Sequence, residues 1–405
     1  MNPIFRGRTI RILIWLAAAV LLLAALALFN RRNGEGLKAQ LVARPDAAAA
    51  APVEGYARAE GPQPLVFPQD HGPHPDFQTE WWYYTGNLET ESGRHFGYQL
   101  TFFRRALLAP DQRVDRASDW AADQIYLAHF TLSDVTAGRF QAFERFARGA
   151  AGIAGAQSTP YRVWLQDWSV EQVDADVIRD GIDPAGVYRL RAAEQGISLD
   201  LLLTDTKGPV LQGERGYSRK GPEPGNASFY ISQTRLASLG TVQAGGESFA
   251  VSGNSWMDHE FSTSALSEGQ VGWDWFALQL DDGSELMVFH IRRADGSADP
   301  FSSGTLILPD GSTQHLSRED FQIDPQGTWR SPHTGAEYPA GWRVAVPAAG
   351  LSLEIEPYLA DQELNVSYSY WEGAVRISGQ SGGLPVGGSG YVELTGYAGS
   401  LEGEF

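Results

Sequence analysis

The sequence contains no cysteine. This absence excludes disulfide bonds, catalysis by a thiolate and zinc sites with cysteine ligands, and it leaves the redox compartment open. The sequence also lacks the His-Glu-x-x-His motif of helical zinc sites. Beyond the first thirty-two residues no long helical hydrophobic period is present, so helical bundles are not expected either.

Acidic residues are absent from the first thirty-two positions and abundant afterwards. The chain of 405 residues has a formal net charge of −18, and its first thirty-two residues carry five arginines. Residues 33–405 therefore carry −23. A surface this acidic repels a phosphate backbone, so nucleic acid is not an expected partner.

The N-terminal segment predicts a membrane anchor. Eighteen uncharged residues, Ile12 to Phe29, follow three arginines and span roughly 27 Å as a helix. Arg31 and Arg32 flank this segment as they flank an uncleaved anchor, although cleavage of a signal peptide after Ala27 is the alternative. We therefore predict a transmembrane helix in residues 1–32, a flexible linker in 33–64, and an inner-membrane protein with its bulk in the periplasm.

The remainder of the chain is all-β in pattern and contains an internal repeat. The run that begins at Trp81, WWYYTGNL, returns as WDWFALQL at Trp273, 192 positions later, and each copy is followed by a hairpin turn. Frequent turns, with 45 glycines and 22 prolines, are typical of barrels or sandwiches. The repeat predicts two copies of one antiparallel β domain, residues 65–248 and 249–405, with Trp81 and Trp273 in equivalent positions.

Several motifs carry a resemblance to a known family. They are FPQDHGPHPDFQTEWWYYTGNL at 67–88, SWMDHEFS at 255–262, GWDWFALQLDDG at 272–283, YWEGAV at 370–375 and GYVELTGY at 390–397. In this order they resemble the secreted lipocalin-like family of the carotenoid 1,2-hydratases and their uncharacterised relatives. The resemblance implies two tandem lipocalin-like antiparallel β-barrels and an association of many members with ABC exporters. It also implies a role for His259, although Phe261 stands where the hydratase motif has tryptophan.

Acids next to aromatic residues are the candidate catalytic groups. Adding water to an isolated double bond needs an acid that protonates carbon, and a carboxyl group in an apolar pocket keeps its proton near neutral pH. Aromatic faces stabilise the resulting cation. The candidate catalytic residues are Asp258, His259, Glu260, Glu80, Asp274 and Glu372. The candidate ligand-binding residues are Trp81, Trp82, Tyr84, Trp256, Trp273, Trp275 and Trp371.

Each candidate also has a structural interpretation. The Asp258–Glu260 cluster can fix a junction between domains, and Glu80 and Glu372 can accept hydrogen bonds from backbone or tryptophan N–H groups. Asp274 points away from its two tryptophan neighbours if the segment is a strand. The cluster of His71, His74, Asp70 and Asp76 has poor spacing for a metal, so neither a metal site nor a cofactor is predicted.

Two functions follow from these residues, of which the first is the one we predict and the second is the alternative. The first is a membrane-anchored periplasmic protein that binds an apolar lipid or isoprenoid, with an ABC exporter permease as a partner. The second is an enzyme of the carotenoid hydratase type, which adds water to an isoprenoid double bond by acid catalysis. Fold resemblance alone does not choose between them.

Overall fold

The fold is all-β, as the sequence predicts. The computed structural model describes residues 54–114, 117–173, 186–264 and 266–401. Helical structure in these ranges consists of short 3-10 turns, Gln69–His71, Pro110–Gln112 and Pro347–Ala349. No helix within the described ranges has the length and apolar character needed to cross a membrane. The predicted anchor in residues 1–32 lies outside them.

The first sheet is a nearly closed antiparallel barrel. Eleven strands follow the order β4-β3-β2-β1-β13-β12-β9-β8-β7-β6-β5, and β10 and β11 pair with β12. The strands are β1 (Thr79–Glu89), β2 (His95–Ala106), β3 (Gln124–Asp134), β4 (Arg139–Arg148), β5 (Ala154–Ser158), β6 (Tyr161–Leu165), β7 (Trp168–Gln172), β8 (Val187–Glu194), β9 (Ile197–Asp205), β10 (Val210–Leu211), β11 (Tyr217–Arg219), β12 (Ala227–Ala244) and β13 (Glu247–Ser262).

The second sheet is also antiparallel. Its order is β17-β16-β15-β14-β25-β24-β22-β21-β18, with β23 paired to β24, while β19 and β20 form a separate hairpin. Its end strands β17 and β18 do not pair with each other within the described ranges, so the structure shows a second antiparallel sheet where the sequence predicts a second barrel. The strands are β14 (Gln270–Leu280), β15 (Glu285–Arg293), β16 (Ser303–Ile307), β17 (Thr313–Leu316), β18 (Gln322–Pro325), β19 (Thr328–Arg330), β20 (Glu337–Pro339), β21 (Trp342–Val346), β22 (Leu351–Pro357), β23 (Glu363–Asn365), β24 (Ser369–Ser381) and β25 (Leu384–Leu394).

Strand pairing places the two repeat segments at equivalent positions in their sheets. In the first sheet β1 lies between β2 and β13, and in the second sheet β14 lies between β15 and β25. Each repeat strand therefore pairs with the next strand in the chain and with the last strand of its own sheet. Leu88 faces Gly253 in the first sheet, and Leu280, its counterpart in the repeat, faces Gly388 in the second. Trp81 and Trp273 accordingly occupy equivalent places.

The boundary between the copies differs from the predicted one at 248/249. Strand β13, Glu247–Ser262, pairs along its length with β1 and β12 and completes the first sheet. The chain passes to the second sheet between Ser262 and Gln270. The prediction failed because the sequence motif at 255–262 precedes the second repeat directly, although it is the last strand of the first copy.

The described end of the predicted 33–64 linker packs against the barrel. Tyr56 packs with Ala106 and Ala109, and Ala59 lies in a buried cluster with Phe77. Burial of these side chains attaches the described end of the 33–64 segment to the barrel.

Strand alternation creates three cores. Even-numbered side chains of β1, such as Trp82 and Tyr84, fill the first barrel. Phe276 and Trp371 pack in the core of the second sheet. Odd-numbered side chains of β1 turn the other way and meet the second sheet in an inter-sheet core, where Tyr83 packs with Trp275. Successive residues of one strand thus belong to different sites.

Candidate functional site

A cavity of about 150 Å³ lies between the two sheets, next to the inter-sheet core. We call it the inter-sheet cavity. Its aromatic walls are formed by Trp81, Tyr83, Phe103, Trp273, Trp275 and Phe289. Its ionisable lining groups include Asp258, Glu260, Glu372, Glu393 and Lys220. Four carboxyl groups thus share this apolar space with one ammonium group, so negative charges would outnumber positive ones if every acid were ionised.

Asp258 is the most heavily hydrogen-bonded of these acids. It projects from β13, is 3% exposed, and accepts a hydrogen bond from the Tyr230 hydroxyl at 2.5 Å. Ser232 donates a second bond, and the indole of Trp256 donates a third at 2.7 Å. Burial nevertheless outweighs these bonds and raises the pKa of Asp258 to about 7. The group can therefore both give and take a proton near neutral pH.

Glu393 is the acid at the matching place in the second sheet. Asp258 faces Tyr83 on β1, and Glu393 faces Trp275, the repeat counterpart of Tyr83, on β14. Glu393 is partly accessible, and Trp273 donates a hydrogen bond to it. Burial raises the pKa of Glu393 to about 8, and the nearby carboxyl groups of Asp258 and Glu260 add to the rise. This side chain is therefore a carboxylic acid at neutral pH.

Glu372 lies directly opposite Glu393 on the neighbouring strand β24. It is fully buried, and the Tyr83 hydroxyl donates a hydrogen bond to its Oε1 atom. Burial, with the charge of Glu393 as a further cause, raises the pKa of Glu372 well above its ordinary value. Two adjacent carboxyl groups in this environment hold protons rather than two charges.

The charge on Glu260 has a partner at the cavity wall. Its Oε1 atom lies 3.4 Å from the Nζ atom of Lys220. The ammonium group also lies 4.3 Å from the ring centre of Phe289 and 5.1 Å from that of Tyr230. Lys220 therefore pairs with Glu260 at one wall of the cavity, whereas no cation of the described residues forms an ion pair with Asp258 or Glu393.

His259 and Glu80 lie on the barrel side of their strands, away from the inter-sheet cavity. The Nε2 atom of His259 is 2.8 Å from Glu80 Oε1, and the imidazole stacks on Trp82. Glu80 also accepts bonds from Arg104 Nε at 2.8 Å and from the backbone N–H of His74. Its pKa is lowered because the charge of Arg104 and these bonds overcome the effect of burial. These contacts attach the segment around His74 to the barrel.

Three side chains of the same network are also a candidate metal centre. His74, Glu80 and His259 bring one potential ligand atom each within 4.8 Å of one another. However, the guanidinium of Arg104 already binds the Glu80 carboxylate, and both imidazoles lie at hydrogen-bond distance from one of its oxygens. A cation added here would face Arg104 at close range, so the arrangement suits an ion-pair network better than a metal.

The remaining predicted site residues lie on the sides of the two sheets that face away from the inter-sheet cavity. Asp274 binds Arg292 at 2.8 Å and Tyr397 at 3.1 Å, on the face of β14 opposite the cavity. Trp371 donates its indole hydrogen to the Ala360 carbonyl and packs in the second core. Trp82 and Tyr84 are buried in the first barrel. Strand alternation places these side chains away from the inter-sheet cavity, in contrast to Trp81, Trp273 and Trp275.

Sequence reasoning missed Glu393 and several tyrosines of the cavity. The signal was present in the repeat, because each copy ends on a strand with an aromatic residue two places before an acid, Trp256 before Asp258 and Tyr391 before Glu393. Tyr230 and Tyr370 also line the cavity. Both reach it from strands that pair with those last strands, which no spacing along the chain reveals.

A match to the serine hydrolase motif lies outside the residues that line the inter-sheet cavity. Residues 379–383 match the Gly-x-Ser-x-Gly spacing of serine hydrolases, with Ser381 at the centre. In the structure this segment is the end of β24 and a hairpin turn that leads directly into β25. The hydrolase motif requires a strand-to-helix turn, so its spacing here reflects a glycine-rich hairpin.

Comparison with known proteins agrees with this architecture. A family model described as AttH-like matches residues 58–397. The chain is similar to a crystal structure assigned as AttH from Nitrosomonas europaea, with 37% identity, a TM-score of 0.72, and coverage of 84% of this chain and 99% of that one. No curated protein sequence matches it.

Two further solved structures are similar to this chain at low identity. Kievitone hydratase from Nectria haematococca has 15% identity and a TM-score of 0.62 over 85% of this chain and 96% of that one. CghA with Sch210972 has 12% identity and a TM-score of 0.47 over 85% and 97%. The resemblance drawn from the motifs is confirmed by the family model, and kievitone hydratase shares the fold. The chain belongs to the AttH-like family.

Proposed function

We propose that the inter-sheet cavity binds an apolar, unsaturated small molecule of the lipid or isoprenoid class and adds water to it by acid catalysis. The observation that carries this proposal is the pair of proton-holding acids, Asp258 and Glu393, among tryptophan faces. Acid-catalysed hydration needs a neutral carboxylic acid beside an apolar ligand, and a carboxylic acid in this environment is available at neutral pH.

Glu393 is the proton donor in this proposal. Its pKa of about 8 leaves it protonated at neutral pH, and its side chain is accessible from the cavity. Transfer of its proton to a trisubstituted double bond creates a tertiary carbocation. The indole faces of Trp81, Trp273 and Trp275 line the same cavity and stabilise positive charge.

Asp258 stabilises the cation from the opposite wall. Its hydrogen bonds from Tyr230 and Trp256 hold the carboxyl group in one orientation, and its pKa of about 7 allows the anion to form. An anion close to the carbocation lowers the energy of the charged intermediate until water arrives. The two acids thus have different tasks because their hydrogen-bond environments differ.

The name of the similar protein from Nectria haematococca supports this reaction class. The name kievitone hydratase states that this protein adds water to kievitone. At 15% identity the likeness concerns the fold, so the assignment of chemistry here rests on the acids and aromatic walls of this chain.

The test is water addition by the purified protein to farnesol, squalene and lycopene, which present the same type of double bond at increasing chain length. Products are detected by mass spectrometry in isotopically labelled water. Glu393→Gln should lower kcat by about a hundredfold to ten-thousandfold, because the amide cannot supply the proton. Quenching of tryptophan fluorescence by the ligand should be retained in this variant.

A matched control is Glu354→Gln, since Glu354 is an exposed acid of the same sheet that pairs with Arg343. This variant should keep the wild-type kcat. Binding of the probes without water addition would contradict the enzymatic proposal. That result would favour the second candidate, a carrier that holds an apolar ligand for an ABC-type exporter, for which the aromatic walls of the cavity are the supporting observation.

A further inference from the structure

A chain of hydrogen-bonded side chains leads from the inter-sheet cavity to the protein surface. Tyr370 lines the cavity from β24, and its hydroxyl lies 2.8 Å from Nδ1 of His129 on β3. The Nε2 atom of His129 lies 3.2 Å from Oε2 of Glu144, its direct partner on β4. His129 is fully buried, whereas 23% of the Glu144 side chain is exposed.

The direction of each hydrogen bond follows from the groups involved. Burial raises the pKa of Glu144, but hydrogen bonds from His129 and Ser367 outweigh it and leave that pKa below its ordinary value. Glu144 is therefore an acceptor, so Nε2 of His129 carries the hydrogen. The Nδ1 atom of a neutral imidazole is then free to accept the hydrogen of the Tyr370 hydroxyl. Hydroxyl, imidazole and carboxylate stand in the order that activates a hydroxyl as a base.

A free acceptor lies beside the Tyr370 hydroxyl. Gln99 lines the cavity and donates from Nε2 to Tyr370 at 3.2 Å and to Thr101 at 2.8 Å. Its Oε1 atom is buried and has no hydrogen-bond partner within the described part of the chain. Buried amide oxygens are normally satisfied, and one that faces a polar corner of a cavity is a suitable place for a water molecule.

We propose that Tyr370, backed by His129 and Glu144, is the base of the reaction, and that Gln99 holds the attacking water. This inference rests on the proposed function and supplies the step in which water adds to the carbocation. Tyr370 is a catalytic residue in this scheme, because it touches the water. His129 and Glu144 are positioning residues that act through it.

The proton balance of the step is closed. Carbon takes the proton of Glu393, and the oxygen of the water forms a bond to the neighbouring carbon. The water then gives one proton to Tyr370 as Tyr370 passes its own to Nδ1 of His129, and the Glu144 carboxylate stabilises the imidazolium. Glu393 regains a proton from solvent and His129 releases one through the exposed side of Glu144. One water is consumed and no net proton is produced.

A purely structural role for the same residues makes different predictions. The titratable groups that face His129 are Glu144 on β4 and Tyr368 and Tyr370 beside the cavity, with the rings of Tyr368 and Tyr370 at 5.4 and 5.8 Å. As a contact between the sheets, this group would affect stability and leave the pH dependence of kcat unchanged. As a relay, it sets the acidic limb of that profile.

The experiment measures kcat, KM and their pH profiles for the full-length protein with farnesol, squalene and lycopene. Tyr370→Phe and His129→Gln should each lower kcat about a hundredfold or more while KM changes little, since binding is not their task. Glu144→Gln should move the acidic limb of kcat to lower pH, because the imidazolium loses its anion. Thermal melting of every variant is recorded in parallel.

A second histidine–tyrosine contact between the sheets gives the matched controls. His95 stacks on Tyr358 with ring centres 4.0 Å apart and binds Glu89 and Asn87. His95→Gln and Tyr358→Phe should keep the wild-type kcat and pH profile, even if their melting temperatures fall as much as those of the relay variants.

The possible outcomes separate this inference from the proposed function. Loss of kcat in Glu393→Gln with unchanged kcat and pH profile in Tyr370→Phe and His129→Gln would overturn the relay and leave the acid intact. An equal loss of kcat in the control variants would show that the contact between His129 and Tyr370 is structural. That result would also overturn the relay. Absence of water addition by the wild type would overturn the proposed function, and the relay with it.

Discussion

Glu80 shows how one buried charge can hold a loop on a barrel. Its carboxylate is fully buried, and it binds Arg104, whose side chain is also fully buried. We expect Glu80→Gln to reduce the free energy of unfolding by about 3–5 kcal/mol, because the guanidinium is left buried without its counterion. Urea denaturation at neutral pH measures this change.

The stabilisation by Glu80 also has a pH dependence. Its pKa is lowered on folding, so the contribution is present above the ordinary value of 4.5 and is lost as pH falls below it. Asp200→Asn is the matched control, since Asp200 pairs with Arg189 on the surface and a solvent-exposed pair contributes little. Equal losses in the two variants would show that the Glu80 network is no stronger than a surface pair.

Glu393 should make the stability depend on pH in the opposite direction to Glu80. Its pKa rises from 4.5 to about 8 on folding, so the native state holds a proton that the unfolded state releases within this window. Stability should therefore fall as pH rises from 4.5 to about 8, by at most about 1.4 kcal/mol per pH unit from this one group.

Glu393→Gln should make the curve of stability against pH flatter in that window. Urea denaturation of both proteins across the window measures the difference in slope. An identical slope in the variant would mean that Glu393 titrates at its ordinary value in the folded protein, and the proposed proton donor would lose its basis.

At the scale of the strand, two glycines hold the repeat strands close to their partners. A Cβ atom at Gly253 would lie 2.1 Å from the Asn87 carbonyl oxygen, and one at Gly388 would lie 2.2 Å from that of Gln279. We expect Gly253→Ala and Gly388→Ala each to reduce stability by about 1–3 kcal/mol, since the strands must separate to admit the methyl group.

Thermal or urea unfolding measures this effect. Gly61→Ala is the control, because a Cβ there meets no atom within 4 Å. A neutral Gly253→Ala would show that β13 can shift along β1 without cost, and the close pairing would not be the reason for glycine at these places.

Alternation along strands also explains how far the sequence predicts the site. Several candidates chosen as acids next to aromatic residues do line the inter-sheet cavity, because such residues cluster where the two sheets meet. Among them are Trp81, Asp258, Glu260 and Glu372. The same choice included His259, whose neighbours in sequence face the cavity while it faces the barrel. Whether the odd-numbered or the even-numbered side chains of a strand face the inter-sheet cavity depends on the position of the other sheet. The sequence of one strand does not contain that information.

At the scale of the whole molecule, Glu285 connects the two sheets. It is buried on β15 of the second sheet and binds Lys207 at 2.6 Å and Arg235, both of which belong to the first copy. Glu285→Gln should reduce stability by about 3 kcal/mol, because two cations lose their anion. Both sheets should still unfold in one transition, since Tyr83 and Trp275 share the inter-sheet core.

Tryptophan fluorescence and far-UV circular dichroism, followed in urea, test this expectation together. Coincident transitions indicate joint unfolding of the sheets. Glu356→Gln is the control, as Glu356 pairs with Arg376 at the surface. Two separated transitions in the wild type would show that each sheet is stable without the other.

The repeat made the duplicated architecture predictable, but not the path of the chain through it. Matching Trp81 with Trp273 located the first strand of each copy. It did not show that Glu247–Ser262 returns to pair with β1, because such pairing joins residues about 170 positions apart and depends on the long β12–β13 hairpin. The motif 255–262 was therefore assigned to the wrong copy.

The two walls of the inter-sheet cavity share one pattern of strand pairing, yet they are encoded by separate stretches of the gene. Asp258 and Glu393 can consequently be substituted independently, and so can the aromatic partners Tyr83 and Trp275 that face them. One wall can therefore be altered to fit a different ligand while Glu393 on the other wall is kept. The repeated architecture thus lets two halves of a single pocket change separately.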